Sequence, residues 1–263
     1  MTSKNTIITE LNGTMATIWF NRPAVHNALN DTMIEDFLRS IKALNTLEKI
    51  RIVLVRARGE SFCAGADIRW LQKAGVLNRE ENYRESLALA NCFHELHTSR
   101  KLTVALVQGA AYGGANGFIA ACDLAFATQA AVFAFPEVRL GLIPSTIAPY
   151  VLKKTGHRKS MELMLTGQKF NGTVAEQIGL VNKALPAEEF ESYVGNVILN
   201  LLNAAPVAQQ ETKNMLNRLA IPVIDEKLIE QSAALLANIR VSAEAREGMN
   251  AFIEKRAPDW NHN

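Results

Sequence analysis

The alternation of apolar and polar positions over residues 6–135 predicts strands that are interspersed with helices. Two β-rich runs flank Asn12-Gly13, a dipeptide favoured in tight turns, and predict a hairpin. The runs "IRIVLVRAR" and "LTVALVQG" are almost continuously apolar, which is typical of strands buried on both faces. Ahead of both, "NDTMIEDFLRSIKALNTL" carries apolar residues at helical spacing and predicts an amphipathic helix capped by its first Asn or Asp. Together these elements indicate an α/β core.

Helices dominate the rest of the predicted structure. From Val174 onward the pattern is almost wholly helical, with predicted breaks at Pro186, Pro206 and Pro222. We therefore predict an α/β core over residues 1–186 that carries the functional site, followed by a helical C-terminal region over residues 187–263. The helical tail is amphipathic, which suits either a layer on the chain's own core or a contact between subunits.

Composition narrows the class of protein without identifying a function. The 263 residues carry a net charge of only +2, which argues against nucleic-acid or membrane partners. Three widely spaced cysteines form neither a disulfide framework nor a zinc pattern, so reduced thiols in the cytoplasm are expected. The first residues, "MTSKNTIITELNG", lack the apolar core of a signal peptide. His94 and His97 are three residues apart, but no neighbouring ligand types support a metal site.

One uncharged segment, residues 101–123, resembles a membrane span in length and has glycines at GxxxG spacing. Gln108, Tyr112 and Asn116 interrupt it, and "GGANG" would make a poor lipid-facing surface. A buried strand that leads into a buried helix explains the same composition better.

Two turns rich in glycine and alanine join a predicted strand to a predicted helix, at Ala64-Gly65-Ala66-Asp67 and at Tyr112-Gly113-Gly114-Ala115. Each places unobstructed backbone N–H groups at a helix N-terminus, where free donors and the helix dipole favour negative charge. Two such turns facing each other would form an oxyanion hole with two donors. For either turn alone, close helix–strand packing is the simpler explanation.

A carboxylate stands between apolar runs in "FAFPEVRLGLIP", where Glu137 follows Pro136. Desolvation in such surroundings raises the pKa of a carboxyl group toward neutrality, which suits a general acid or base. A solvated turn residue, or an ion pair with Arg139, would explain the same position.

Several segments together resemble the enoyl-CoA hydratase/isomerase family, the crotonases. They occur in family order over nearly the whole chain: "NRPAVHNALN", "SFCAGADI", "VQGAAYGGANGFIAACDLAFAT", "FAFPEVRLGLIP", "LTGQKF" and "EGMNAFIEKRAPDW". The resemblance implies a crotonase-like spiral of β-β-α units with a helical C-terminal region that serves as a trimerisation or lid region. It also implies a homotrimer or homohexamer, and coenzyme A as part of the substrate with no separate cofactor.

The resemblance assigns roles to individual positions of this sequence. The N–H groups of Ala66 and Gly114 would hold the thioester oxygen, with Glu137 as the catalytic acid/base. The positions expected to contact the acyl-CoA are Ala24, His26, Ala64, Asp67, Ile68, Tyr112, Gly113, Gly117, Phe252 and Lys255.

The sequence departs from the family's hydratases at one catalytic position. Those enzymes carry a first glutamate three residues after the oxyanion glycine, where this chain has Gly117. Three interpretations remain: hydration by the single carboxylate of Glu137, Δ3–Δ2 enoyl-CoA isomerisation, or a non-catalytic acyl-CoA binding protein.

The finer pattern is similar to bacterial methylglutaconyl-CoA and carboxygeranoyl-CoA hydratases, whose substrates carry a distal carboxylate. Gly117 would remove a like charge and leave room for a branched, acidic acyl group. Arg139, Arg69 or Lys73 would then pair with the substrate carboxylate. We therefore expect hydration of an α,β-unsaturated acyl-CoA, with a branched, carboxylated acyl group such as methylglutaconyl as the finer expectation.

Overall fold

A computed structural model describes residues 5–220 and 224–261 of the chain. Its strands are β1 (Ile7–Asn12), β2 (Met15–Phe20), β3 (Ile52–Ala57), β4 (Leu102–Val107), β5 (Ala110–Tyr112), β6 (Leu124–Thr128), β7 (Val132–Ala134), β8 (Phe170–Asn171) and β9 (Lys183–Leu185). Its α-helices are α1 (Asp31–Thr46), α2 (Ile68–Val76), α3 (Arg79–His97), α4 (Gly114–Ala121), α5 (Ala148–Thr166), α6 (Gly172–Gln177), α7 (Ala187–Asn203), α8 (Pro206–Leu219), α9 (Glu226–Arg240) and α10 (Ala243–Glu254).

The strands form two sheets. The larger sheet has the order β1-β2-β3-β4-β6-β9, and the smaller has the order β5-β7-β8. The β1–β2 pair is the predicted antiparallel hairpin, and β2, β3, β4, β6 and β9 pair in parallel. Asn12 pairs with Met15, so the two-residue turn is Gly13-Thr14 rather than Asn12-Gly13. Gly13 has a φ of +60°, a conformation that glycine adopts without strain.

The strands β3 and β4 are buried on both faces, as their continuous apolar sequence predicts. Val53 and Val55 of β3 face the main core, whereas Ile52 and Leu54 face a second cluster that is completed by α7. The predicted helix α1 also forms, and the Asn30 side chain accepts a hydrogen bond from Met33 N at 2.9 Å to cap it.

Helix α4 lies at the centre of the main core, and every residue from Ala115 to Ala121 is buried. Phe118 of this helix contacts the rings of Phe20, Phe37 and Phe93 with centroids 4.7–5.2 Å apart. A helix surrounded by core on all sides cannot be a membrane span, and the segment 101–123 forms β4, β5 and α4. Within the described ranges, no helix combines the length and apolar character needed to cross a membrane.

Gly117 does not open space for a ligand, and the sequence-based expectation that it would is wrong. A Cβ at this position would lie 2.5 Å from Phe93 Cζ and 2.7 Å from Ile147 Cγ2. Both side chains are buried in the main core, so a methyl group at position 117 would require one of them to shift. Gly117 therefore allows α4 to pack tightly against its neighbours, and the space beside it is filled by protein.

The C-terminal part is helical as predicted, with one exception upstream. The expectation of an almost wholly helical pattern from Val174 is wrong at β9, a strand that pairs with β6 just before the predicted break at Pro186. Helices α7 and α8 begin at Ala187 and Pro206, in agreement with the predicted breaks, while Pro222 lies outside the described residues. Helix α9 contributes Ile229 to the main core, so the tail shares the core of the first 186 residues. The domain boundary at residue 186 stays a prediction.

Gly117→Ala and Gly195→Ala provide a matched test of the packing around α4, because both glycines lie inside helices. A Cβ at Gly195 meets nothing within 4 Å, so alanine there should raise the free energy of unfolding by about 0.5–1 kcal/mol. We expect Gly117→Ala to lower the free energy of unfolding by about 1–3 kcal/mol, because the added methyl group overpacks the core. Urea unfolding measures both, and an equal gain in the two variants would show that Phe93 and Ile147 yield to a methyl group.

Candidate active site

A cavity of about 540 Å³ lies where the two glycine turns meet. Its wall includes Ala66 from the first turn, Gly114 from the second and Glu137 from the 3-10 helix Pro136–Leu140. Helices α2, α3, α9 and α10 close the other sides with mainly apolar side chains. A concave, largely apolar chamber with a few polar groups is the usual form of a small-molecule site.

Backbone hydrogen bonds join the two turns directly. Cys63 N donates to Ala110 O at 2.9 Å, and Tyr112 N donates to Cys63 O at 3.0 Å. Gly65 has a φ of +92°, and a Cβ there would lie 3.3 Å from Tyr112 O. The absence of a side chain at Gly65 therefore permits the close approach of the two turns.

The amide of Gly114 is free because of its place in the fold. Gly114 is the first residue of α4, so its N–H has no acceptor within the helix, and Gly113 precedes it as the N-cap. The helix dipole favours negative charge at this point. Among backbone bonds between described residues, none has the Gly114 amide as donor.

The amide of Ala66 is free for a different reason, which corrects the sequence prediction. Asp67 is the N-cap of α2 and its side chain accepts from Arg69 N at 2.9 Å, so Ala66 lies before the helix. Leu29 pairs with this segment through Leu29 N to Gly65 O at 2.7 Å and Asp67 N to Leu29 O at 2.8 Å. In this parallel bridge the residues on either side of Ala66 bond to Leu29, so the N–H of Ala66 itself points away from Leu29. No acceptor for this N–H is found among the described residues.

Glu137 lies against the second turn. Its Oε1 is 3.3 Å from the position that a Cβ on Gly113 would occupy. The residue is only partly exposed, and within the described chain its buried Oε2 has no hydrogen-bond partner. Burial raises the pKa of the carboxyl group to about 7, against a small opposing effect of its own backbone.

The alternative explanations of Glu137 do not hold. The nearby guanidinium of Arg139 donates from Nε and Nη2 to Thr166 O, each at 3.2 Å, and forms no ion pair with Glu137 within 4.0 Å. The carboxylate is therefore neither a solvated turn residue nor the partner of Arg139. Within the described wall it is also the only acidic side chain.

The other predicted contact positions divide into two groups. Ala64, Tyr112, Gly113 and Phe252 line the cavity. The described wall does not include Ala24, His26, Asp67, Ile68, Gly117 or Lys255.

The predicted positions outside the wall surround its edge. His26 O accepts from Ala64 N at 2.9 Å, which places the exposed 24–26 segment beside the first turn. Asp67 pairs with Arg22 at 2.8 Å, and Ile68 is exposed. Lys255 is exposed at the C-cap of α10. Their roles toward a ligand stay predictions.

The cavity contains cations that sequence reasoning missed. Of the three proposed partners for a substrate carboxylate, Arg139 lines the cavity, whereas Arg69 and Lys73 do not. Lys169, Arg240 and Arg256 also line it. Arg240 could have been found from spacing, because it continues the buried stripe Ile229, Ala233 and Leu236 of α9.

The cysteines take no part in this site as ionised groups. Cys63, Cys92 and Cys122 are free and buried, and burial raises the pKa of each thiol well above its ordinary value. Among the described residues there is also no group of three or more His, Cys, Asp or Glu side chains that could hold a metal ion.

Comparisons with known proteins agree over nearly the whole chain. A family model described as "Enoyl-CoA hydratase/isomerase" matches residues 10–263. The solved structure of an enoyl-CoA hydratase from Shewanella pealeana is 35% identical, with a TM-score of 0.80 over 97% of this chain and 96% of that one. The "Short-chain-enoyl-CoA hydratase" of Clostridium acetobutylicum is 31% identical over 254 residues, 96% of each chain. The "2,3-dehydroadipyl-CoA hydratase" of Escherichia coli is 26% identical over 241 residues, 91% of this chain and 92% of that protein. The structural similarity confirms the predicted crotonase-like α/β fold class.

Glu137→Gln should stabilise the protein at pH 8 and not at pH 4. The folded-state pKa of about 7 lies above the ordinary value of 4.5, so stability falls as pH rises from 4.5 to 7 and the full penalty is present above 7. Ionisation of the buried carboxyl group lowers the free energy of unfolding by an amount on the order of 3 kcal/mol. Glutamine cannot ionise and so avoids this loss. Thermal unfolding at the two pH values measures the effect.

Glu176→Gln is the matched control for this prediction. Glu176 is paired with Lys183 at 2.7 Å, and the hydrogen bond from Lys183 lowers the pKa of its carboxyl group. Its replacement should therefore reduce stability at pH 8, opposite in sign to Glu137→Gln. A Glu137→Gln variant that is less stable than the parent at pH 8 would contradict the burial of an unpartnered charge.

Proposed function

Because this chain belongs to the enoyl-CoA hydratase/isomerase family, we propose that it adds water across the α,β double bond of an enoyl-CoA thioester. The observation that carries the proposal is the position of Glu137. Its unpartnered carboxylate shares one cavity with the free amides of Ala66 and Gly114. The site thus combines a proton acceptor near neutral pKa with two donors for an oxygen anion.

The two amides would act on the thioester carbonyl. When the carbonyl oxygen accepts hydrogen bonds from Ala66 N and Gly114 N, the negative charge that develops on it during addition is stabilised. The dipole of α4 adds to this at Gly114. Loss of one such donor typically costs about 3–4 kcal/mol of transition-state stabilisation.

Glu137 would act first as the general base and then as the general acid. Its carboxylate accepts a proton from water as the water oxygen bonds to Cβ, and the electron pair of the double bond moves to give the thioester enolate. The protonated Glu137 then returns its proton to Cα, which regenerates the carboxylate. A pKa of about 7 suits a group that must both accept and release a proton near neutral pH.

A single carboxylate is consistent with a second candidate reaction. The described wall holds no acid besides Glu137, since position 117 is glycine and lies outside the cavity. Isomerisation of a 3-enoyl thioester to a 2-enoyl thioester needs one base, which takes a proton from one carbon and returns it to another. It requires no water, so the fate of solvent oxygen distinguishes it from hydration.

Coenzyme A would extend from the turns toward the cavity opening. Ala64 and Phe252 line the wall, and the exposed cations Arg139, Lys169 and Arg256 lie around it. Arg139 and Lys169 suit phosphate groups, whereas Arg256 is already paired with Glu247 and Glu254. The exposed segment at Ala24 and His26 adjoins Ala64, and we retain it with Asp67, Ile68 and Lys255 as proposed contacts of the adenine and pantetheine.

The finer proposal is that the acyl group carries a carboxylate, as in methylglutaconyl-CoA. The described wall contains four cations and one acid. Arg256 is paired with Glu247 and Glu254. The other three cations favour an anionic ligand. The relative named 2,3-dehydroadipyl-CoA hydratase is named for an acyl group with a second carboxyl. The earlier rationale, that Gly117 frees space for such a group, is not part of this proposal.

Assembly and location stay predictions of the sequence. Helix α8 exposes Val207, Met215, Leu216 and Leu219, which suits a contact between copies in the expected homotrimer or homohexamer. The expected cytoplasmic location rests on the sequence alone.

Hydration in ¹⁸O-labelled water tests the reaction. We expect wild-type protein to convert crotonyl-CoA, or a related 2-enoyl thioester, to a 3-hydroxy product that carries the label, as measured by mass spectrometry. Glu137→Gln should lower kcat/KM by roughly 10²–10⁴-fold because the proton acceptor is lost, while the affinity for coenzyme A stays within about twofold. Glu60→Gln, at an exposed position, is the control and should be unchanged.

The other outcomes identify the alternatives. Conversion of a 3-enoyl-CoA without incorporation of label would establish the isomerase. Tight binding of acyl-CoA with no turnover of any thioester would leave the non-catalytic interpretation. Wild-type rates in Glu137→Gln would show that the base has been assigned to the wrong residue.

A substrate panel tests the acyl group. If the acyl group is carboxylated, kcat/KM for 3-methylglutaconyl-CoA should exceed that for crotonyl-CoA by at least about tenfold, because a buried charge-assisted hydrogen bond contributes roughly 1.5–3 kcal/mol. Absorbance of the enoyl thioester measures both rates. A strong preference for crotonyl-CoA would remove this part of the proposal.

A further inference from the structure

Arg240 is a buried cation in the wall of the acyl cavity. It lies in the last turn of α9 and is only 4% exposed. Its guanidinium is centred 5.1 Å from the ring of Trp70, which also lines the cavity. Arginine is rarely buried to this extent unless it is paired.

The guanidinium lacks the partners that such burial normally requires. Nη1 donates to Ser86 Oγ at 3.2 Å, but Nε is buried without a hydrogen-bond partner among the described residues. The indole Nε1 of Trp70 is likewise buried and unpartnered. Two unsatisfied donors on neighbouring side chains are costly in a protein interior. Both atoms are sealed even from a water-sized molecule, so a ligand in the cavity can meet only the remaining part of the Arg240 guanidinium.

No carboxylate of the described residues forms an ion pair with the Arg240 guanidinium within 4.0 Å. Glu85 acts on Arg240 through its charge. Its Oε1 is paired with Lys73 Nζ at 2.7 Å, and its buried Oε2 has no hydrogen-bond partner among the described residues. Lys73 also contacts Asp31 at 3.2 Å. Burial lowers the pKa of Arg240 to about 10, with Glu85 opposing, so the cation persists at neutral pH.

Helix α3 contacts both the oxyanion turn and Arg240. Leu89 Cδ2 of α3 is 3.9 Å from the position of a Cβ on Gly114. Ser86, which binds Arg240, is three residues earlier on the same face of α3, a rise of roughly 5 Å. The two contacts are therefore about one helical turn apart along α3, a spacing that a short acyl chain can span.

We propose that the Arg240 guanidinium, held beside the Trp70 ring, forms a subsite that binds a carboxylate at the distal end of the acyl group. A carboxylate can accept two hydrogen bonds from one guanidinium, and arginine is well suited to this geometry. Arg139, Lys169 and Arg256 are exposed and serve this purpose less well, since solvent screens their charge. The inference rests on the proposed function for the orientation of the thioester, but the subsite itself can be tested by binding.

Calorimetric titration with unreactive, saturated thioesters tests the subsite. Glutaryl-CoA and adipyl-CoA carry a distal carboxylate, and pentanoyl-CoA and hexanoyl-CoA are their neutral counterparts of equal carbon number. Wild-type protein should bind the better dicarboxylic thioester roughly 10- to 100-fold more tightly than its neutral counterpart. Arg240→Met should reduce this ratio to near one while leaving the affinity for the neutral thioester within a few-fold.

Matched variants separate the subsite from general effects. Arg69→Met removes an exposed cation outside the cavity and should keep the wild-type ratio. Trp70→Phe keeps an aromatic ring beside Arg240 and removes only the sealed Nε1, so the ratio should stay within about twofold of wild type. If Arg240→Met does not fold, Arg240→Gln carries the same comparison.

Three outcomes decide the inference. Equal binding of both thioester classes by wild-type protein would overturn it, as would a preference that survives in Arg240→Met or Arg240→Gln. A wild-type protein that hydrates no enoyl thioester, yet shows a carboxylate preference that depends on Arg240, would refute the proposed function and support the subsite.

Discussion

The site depends on the burial of one carboxylate without a partner. Glu137 lies against Gly113 with its Oε2 sealed from solvent and without a hydrogen-bond partner among the described residues, and its own backbone alone opposes the rise in its pKa. Such a group destabilises the folded state whenever it is ionised. The large aromatic core around Phe118 supplies the stability that tolerates it. A chain can keep a poorly solvated proton acceptor only where packing elsewhere is strong.

The cavity also keeps its two buried ionisable groups apart. Glu137 comes from the 3-10 helix after β7, and Arg240 comes from the end of α9. An ion pair between them would lower the pKa of the carboxyl group and remove its ability to exchange protons near pH 7. Among the described residues no ion pair within 4.0 Å joins the two, so the raised pKa of Glu137 is preserved.

The sequence correctly predicts those features that depend on residues close together in the chain. The apolar runs of β3 and β4, the cap of α1 at Asn30 and the free amide of Gly114 at the head of α4 are correct because neighbouring residues set them. The desolvation of Glu137 follows from the apolar residues on both sides of it. These elements are sufficient to indicate the fold class and the centre of the site.

The remaining features depend on partners that are distant in sequence. Ala66 presents its amide because Leu29 pairs beside it, and the short strand β9 exists because β6 offers an edge. Phe93 and Ile147 occupy the space beside Gly117, which no local pattern reveals. Ser86 and Arg240 meet across 154 positions of chain. Since α9 and α10 close the chamber, a nascent chain on the ribosome can fold its sheets early yet remain without an enclosed reaction space until its final helices have been synthesised.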